Sequence, residues 1–245
     1  MDHRARLRIA YELKKKILRK FGSNILGIAI YGSVAKNEDR TYSDLEMFVV
    51  TKHKLAASEV RYVYNGMTVE VSYISSRTML QQARRVTPNW AIEADFYRSY
   101  AVLYEKNAWF RKLHRAVQAQ DTQAFTRAIR KYMVWLHELM GKIRNAFLYG
   151  DDHLFLWLTT FFGWESIVLL GLMNRYYYRS ERTLFDEVLS LPLLPCDYRK
   201  LLNIVFRFSP ANRDTVYNTA RTLYRELRRL ARARGVVLTD KKLRV

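Results

Sequence analysis

The sequence predicts an α+β chain: a mixed-sheet domain over residues 1–120, followed by an up-and-down helical bundle over residues 121–245. Three observations predict it. Short apolar runs of strand length, at Ile25 to Tyr31, Leu45 to Val50 and Met67 to Ile74, fall only in the first half. Asn65-Gly66, the strongest short hairpin signal, joins the arms Glu59 to Tyr64 and Met67 to Ile74. From Asp121 onward the apolar spacing turns helical, in successive stretches with short breaks.

Taken in order, residues 4–21 form a helix with an apolar stripe through Ile9, Leu13 and Ile17, stopped by Gly22. The strand from Ile25 runs into Gly32-Ser33 and a polar loop, and a second strand starts at Leu45. After the hairpin, residues 76–98 are expected to be helical with an interruption at Thr87-Pro88, because proline lacks the N–H that a helix needs. A short strand at Ala101 to Tyr104 and a helix from about Ala108 complete the first domain. The bundle helices are expected at 122–148, 152–178, 183–190, 197–207 and 213–234, with breaks at Pro192 and Pro195 and at Ser209-Pro210.

A chain of 245 residues, 49% hydrophobic and 27% charged, buries a sizeable core. Its net charge of +19 is shared between the halves, +10 to residue 120 and +9 beyond, so it is not a basic tail. Such a field favours nucleotides, nucleic acid or phosphorylated substrates. Cys196 is the only cysteine, which excludes an intrachain disulfide and a thiolate metal site and fits a reducing cytoplasm. The charged N-terminal stretch lacks a signal-peptide core, so a cytoplasmic location is expected. Leu154 to Met173 is long and apolar enough to span a bilayer, yet Glu165 inside it would be costly there, and a buried bundle helix with no membrane contact is expected. The histidines at 3, 53, 114, 137 and 153 show no metal-ligand spacing. The Arg-rich stretch 221–235 reads either as the solvated side of an amphipathic helix or as a nucleic-acid face.

Chemistry concentrates in residues 30–50. Asp44 and Glu46 stand two apart at the start of a strand, so they project from one face while Leu45 and Met47 take the other. Two carboxylates so placed cradle a divalent ion, and hard oxygen ligands suit magnesium bound jointly with substrate phosphates. Gly32 lets the backbone approach a ligand, and neighbouring N–H groups with the Ser33 hydroxyl can hold a phosphate. The bland alternative is a solvated Asp-x-Glu pair at a strand end. Glu70, mid-strand in the hairpin, joins the same face as a third carboxylate if its strand pairs beside that of Glu46. Glu138 and Lys142 share a helix face at i,i+4 spacing, an arrangement also common on plain surfaces.

Gly32-Ser33, a spacer and then Tyr42-Ser43-Asp44-Leu45-Glu46-Met47 between strands resembles the signature of the DNA polymerase beta-like nucleotidyltransferases. Within them the chain looks most like kanamycin nucleotidyltransferase. The block Glu138-Leu-Met-Gly-Lys142-Ile-Arg144-Asn145 resembles that family's helix with its catalytic glutamate and phosphate-contacting lysine. The resemblance implies transfer of a nucleoside monophosphate from a nucleoside triphosphate to a hydroxyl, with magnesium held by Asp44, Glu46 and Glu70. It implies phosphate contacts from Gly32, Ser33, Lys36 and Lys142, Lys36 standing where the family has an arginine. It also implies Glu138 as the base and a homodimer with shared active sites. Arg61 and Val134 fall where the family binds a polycationic drug through glutamates, so a less cationic acceptor is expected: a small molecule, a protein hydroxyl or an RNA end. A non-catalytic nucleotide- or nucleic-acid-binding regulator of the same fold is the alternative.

Overall fold

The computed structural model describes residues 1–239. They form two compact units, Met1–Arg85 with Ala94–Gln120, and Val86–Glu93 with the chain from Asp121 onward.

In the first unit, α1 (His3–Phe21) starts where the Asp2 side chain accepts the Ala5 N–H and stops at Gly22. Then come β1 (Ile25–Tyr31), the short α2 (Gly32–Ala35), β2 (Leu45–Thr51), β3 (Glu59–Tyr64), β4 (Met67–Ser75) and α3 (Ser76–Arg84). After the excursion of α4 (Trp90–Glu93) into the second unit, β5 (Tyr100–Glu105) and α5 (Trp109–Gln118) close the first. The sheet order is β3-β4-β2-β1-β5. Only β2 and β4 pair in parallel, which makes the sheet mixed. Alternation sends Leu45, Met47 and Val49 to the face packed against Ala10 and Ile17 of α1. Phe48 and Val50 take the other face, against Met79 of α3 and Trp109 and Leu113 of α5, and Glu46 shares that side.

The second unit holds α6 (Thr122–Leu148), α7 (Asp152–Asn174), α8 (Leu184–Leu189), α9 (Tyr198–Val205) and α10 (Arg213–Ala233). By length and composition α7 could cross a membrane, and most of it is buried within this unit. Its Glu165 is buried too, and Oε2 accepts hydrogen bonds from the Tyr132 hydroxyl at 2.7 Å and the Trp135 indole N–H at 2.9 Å. Those bonds replace the water that a carboxylate would otherwise lose.

Two helices differ from the sequence expectation. The stretch 76–98 is not one interrupted helix: α3 ends at Arg84, and residues after Pro88 form only α4 and a 3₁₀ turn, Ala94–Tyr97. The helix expected to reach residue 178 stops at Asn174. There Arg175 turns left-handed (φ +53), the Asn174 amide donates to Leu170 and Leu193 carbonyls, and Tyr176–Tyr178 leave the helix. The Tyr178 hydroxyl donates to the Ile167 carbonyl and the Tyr176 hydroxyl to Glu187, so tertiary bonds override an apolar run that looks helical.

Candidate active site

At the end of β1 the backbone turns left-handed at Gly32 (φ +69), and a Cβ there would lie 1.9 Å from Glu46 Oε2. Glycine is thus needed both for conformation and for space. Across the sheet, Tyr31 pairs with Glu46, Glu46 with Glu70, and Glu70 with Arg61, so one lateral row carries two acids between a phenol and a guanidinium. The Tyr31 hydroxyl donates to Glu70 Oε1 at 2.9 Å, and Arg61 Nη2 lies 3.0 Å from Glu70 Oε2. Both Glu70 oxygens are therefore engaged. Burial first, then the negative charges of Asp44 and Glu70, push the Glu46 carboxyl up to about 7, against weaker relief from Arg61 and Lys36. Burial, then the charges of Glu46 and Glu70, raise the Tyr31 phenol, which stays a neutral donor.

Lys36, foreseen as a phosphate contact, has its ammonium paired with Asp95 and its side chain nearly buried. It acts on Glu46 through charge. Among the described residues no three His, Cys, Asp or Glu side chains form a ready metal-ligand group. The residues nevertheless fit a magnesium ion bound through one or two carboxylates and substrate phosphates. Mutual repulsion at Glu46 is what a cation would relieve, and the missing side chain of Gly32 is what makes room for the Glu46 carboxylate there.

The loop that delivers Asp44 is held by a buried arginine. Arg6 Nη1 donates to Asp39 Oδ2 and the Met1 carbonyl, Nη2 to the carbonyls of Arg40, Thr41 and Ser43, and Nε again to Ser43. His3 Nδ1 meets the other Asp39 oxygen at 2.6 Å. Arg6 and Asp39 side chains are each 1% exposed. Removing one partner of a buried pair strands the other charge, so Arg6→Met should cost about 3–5 kcal/mol and lower Tm by on the order of 10 °C. Circular-dichroism melting checks this; a drop of under about 3 °C would show that the brace is dispensable.

Glu138 and Lys142 sit on α6, in the second unit, ion-paired with each other at 2.8 Å with both side chains half exposed or more. Lys142 also stands over the Trp135 ring, 5.3 Å from its centroid. An exposed pair of this kind adds little stability.

Residues 107–237, more than half of the chain, match the family model described as the KNTase C-terminal domain. The chain belongs to that family. It is 28% identical over 206 residues to the aminoglycoside nucleotidyltransferase (4′) of Staphylococcus aureus, covering 84% of this chain and 81% of the relative. The namesake enzyme from a Bacillus species is similar to the same extent. A nucleotidyltransferase-like protein from Exiguobacterium sibiricum shares the fold, with a TM-score of 0.53 at 14% identity over 91% of this chain and 74% of that one. This kanamycin nucleotidyltransferase-like chain is a nucleotidyltransferase.

Sequence reasoning left three of the KNTase-family chain's site neighbours without a role. Tyr31 counted only as the residue before the motif, since its bond to Glu70 spans 39 residues. Asp95 gave no local sign of meeting Lys36. Arg6 did leave a trace: it occupies the stripe 6, 10, 13, 17 of α1, where the other members are apolar.

Proposed function

We propose that this nucleotidyltransferase moves a nucleoside monophosphate from a magnesium-bound nucleoside triphosphate to a hydroxyl of an acceptor less cationic than an aminoglycoside. The observation that carries it is Glu46, wedged against Gly32 and raised by burial, Asp44 and Glu70. Asp44 and Glu46 would hold the ion, and Glu70 would join them on release from Arg61. When bound, the ion would draw charge from the triphosphate and ease departure of pyrophosphate. Gly32 and Ser33 offer backbone N–H and hydroxyl donors to phosphate oxygens, and Lys36 supplies positive charge nearby. The acceptor oxygen attacks the α-phosphorus, its proton passes to Glu138, and the bond to the bridging oxygen breaks to free pyrophosphate. Lys142 would offset phosphate charge.

Arg61 beside the carboxylates and a net charge of +19 both disfavour a polycationic acceptor. A homodimer with shared sites belongs to the same reading. It is supported by the exposure of Glu138 and of Val134, Leu148, Leu156 and Trp157 on α6 and α7, apolar surface that a subunit contact would cover. The test is incubation with α-labelled ATP, GTP, CTP or UTP, magnesium and a metabolite extract, with kanamycin in parallel. Label should appear on an extract component, and Asp44→Asn should show none while melting like wild type. Transfer unchanged by Asp44→Asn would remove the carboxylates from the chemistry, and kanamycin outperforming the extract would overturn the acceptor assignment.

A further inference from the structure

The face of α10 turned away from the core carries Arg221, Arg225, Arg228 and Arg232 at spacings of four, three and four, all exposed. They form one line about 16 Å long, with guanidinium groups every 5–6 Å or so. Among the described residues, no carboxylate forms an ion pair with any of the four; Glu226, the acid within their span, pairs with Arg229 at 3.0 Å. Like charges at such spacing destabilise a helix by a few tenths of a kcal/mol per pair, and no ion pair among the described residues offsets it. Two of the four are seated on aromatic rings. Arg221 stands 5.6 Å from the Tyr217 centroid, and Tyr217 stacks on Phe147; Arg228 stands 5.8 Å from Tyr224, whose hydroxyl shares a hydrogen bond with His137. Their forks are held in place before any ligand arrives, which lowers the entropy lost on binding.

Beyond the helix the chain turns back at Gly235 (φ +78), with the Val236 N–H bonded to the Ala231 carbonyl. The turn leaves a cleft of about 420 Å³ lined by Arg225, Arg228, Arg229 and Arg232, by Glu226, which is paired with Arg229, and by Val237 and Leu238. A lone anion would use one or two guanidiniums. A line of four, three of which reach a cleft that also holds Val237 and Leu238, fits a ligand that repeats its phosphates at short intervals and leaves its bases free to lie against those apolar side chains. A duplex hides its bases, and a strand does not.

We propose that the arginine line and cleft of α10 bind single-stranded nucleic acid through its phosphates. This is independent of the transfer reaction. Fluorescence anisotropy with a labelled single-stranded RNA of mixed sequence, across a salt series, tests it. The variant R221Q/R225Q/R228Q/R232Q should lose about two to three orders of magnitude in affinity near 0.1 M salt, with a salt slope smaller by roughly three. A control, K15Q/K16Q/R19Q/K20Q, removes the same charge from exposed positions of α1 and should bind within a few-fold of wild type. All eight substitutions are at exposed helix positions where glutamine preserves helix propensity, and melting curves confirm folding. Equal losses in both variants would mean that overall charge attracts RNA, and no loss in the first would remove the site. If the first variant lost binding to phosphatidylserine vesicles but kept RNA affinity, the face would be a membrane contact and the proposal would fall.

Discussion

Glu46→Gln is expected to raise the melting temperature of the metal-free protein at pH 8 by about 4–8 °C while cutting nucleotidyl transfer by more than about a hundredfold. Burial, then the charges of Asp44 and Glu70, disfavour the ionised form of the folded Glu46 carboxyl and push it from an ordinary value of 4.5 up to about 7. Between those two values the native state holds a proton that the unfolded chain has released, so stability falls as pH rises through this window and levels off above it. The penalty is on the order of 2 kcal/mol once solvent screening at a partly buried site is allowed for. Glutamine keeps the shape and removes the charge, so the melt of the variant should lose this pH dependence. Added magnesium should stabilise wild type at pH 8 and leave the variant unmoved, since a ligand of the native state stabilises in proportion to its binding. Melts at pH 5 and pH 8, with chelator and with magnesium, decide the matter. A variant that melts like wild type at pH 8, or that still transfers, would detach Glu46 from both roles.

What the sequence made legible was local. The two strands around Gly32-Ser33 follow from side-chain period and turn chemistry within 20 residues or so and stand where expected, whereas Asp44 lies just before β2 and reaches Glu46 through its charge. The parallel pairing that puts Glu46 beside Glu70 needed a crossover through the β3–β4 hairpin, which no local pattern encodes. Arg61 is a case of mixed legibility. Its place on a hairpin arm was clear, but its ion pair with Glu70 came only with the antiparallel register. Bonds between distant residues, such as Lys36 with Asp95 and Arg6 with the carbonyls of residues 40–43, are satisfied by tertiary geometry and leave at most an oddly placed charge in the sequence. The end of α7 shows the same limit from the other side. Three tyrosines follow an apolar run, and it is tertiary bonds, those of Asn174 to Leu193 with those of Tyr176 and Tyr178, that show why the helix stops.

Mixing subunits that carry Asp44→Asn with subunits that carry Glu138→Ala, each inactive alone, is expected to restore activity. The dimer proposed for this enzyme takes the carboxylate cluster of each site from one subunit and the glutamate base from the other. In a mixed twofold dimer both lesions then fall in one site and the other site is wild type. Random exchange makes about half of the dimers mixed, so activity should recover to about a quarter of the wild-type level if sites act independently. The recovery should follow the kinetics of subunit exchange, which mass spectrometry of differently tagged chains can time separately. Were each site built within one chain, every site in the mixture would carry one lesion and nothing would recover, however complete the exchange. Zero activity after demonstrated exchange would therefore place Glu138 in its own subunit's site or outside the chemistry, and only in the second case would the exposed Glu138–Lys142 pair be a plain surface contact.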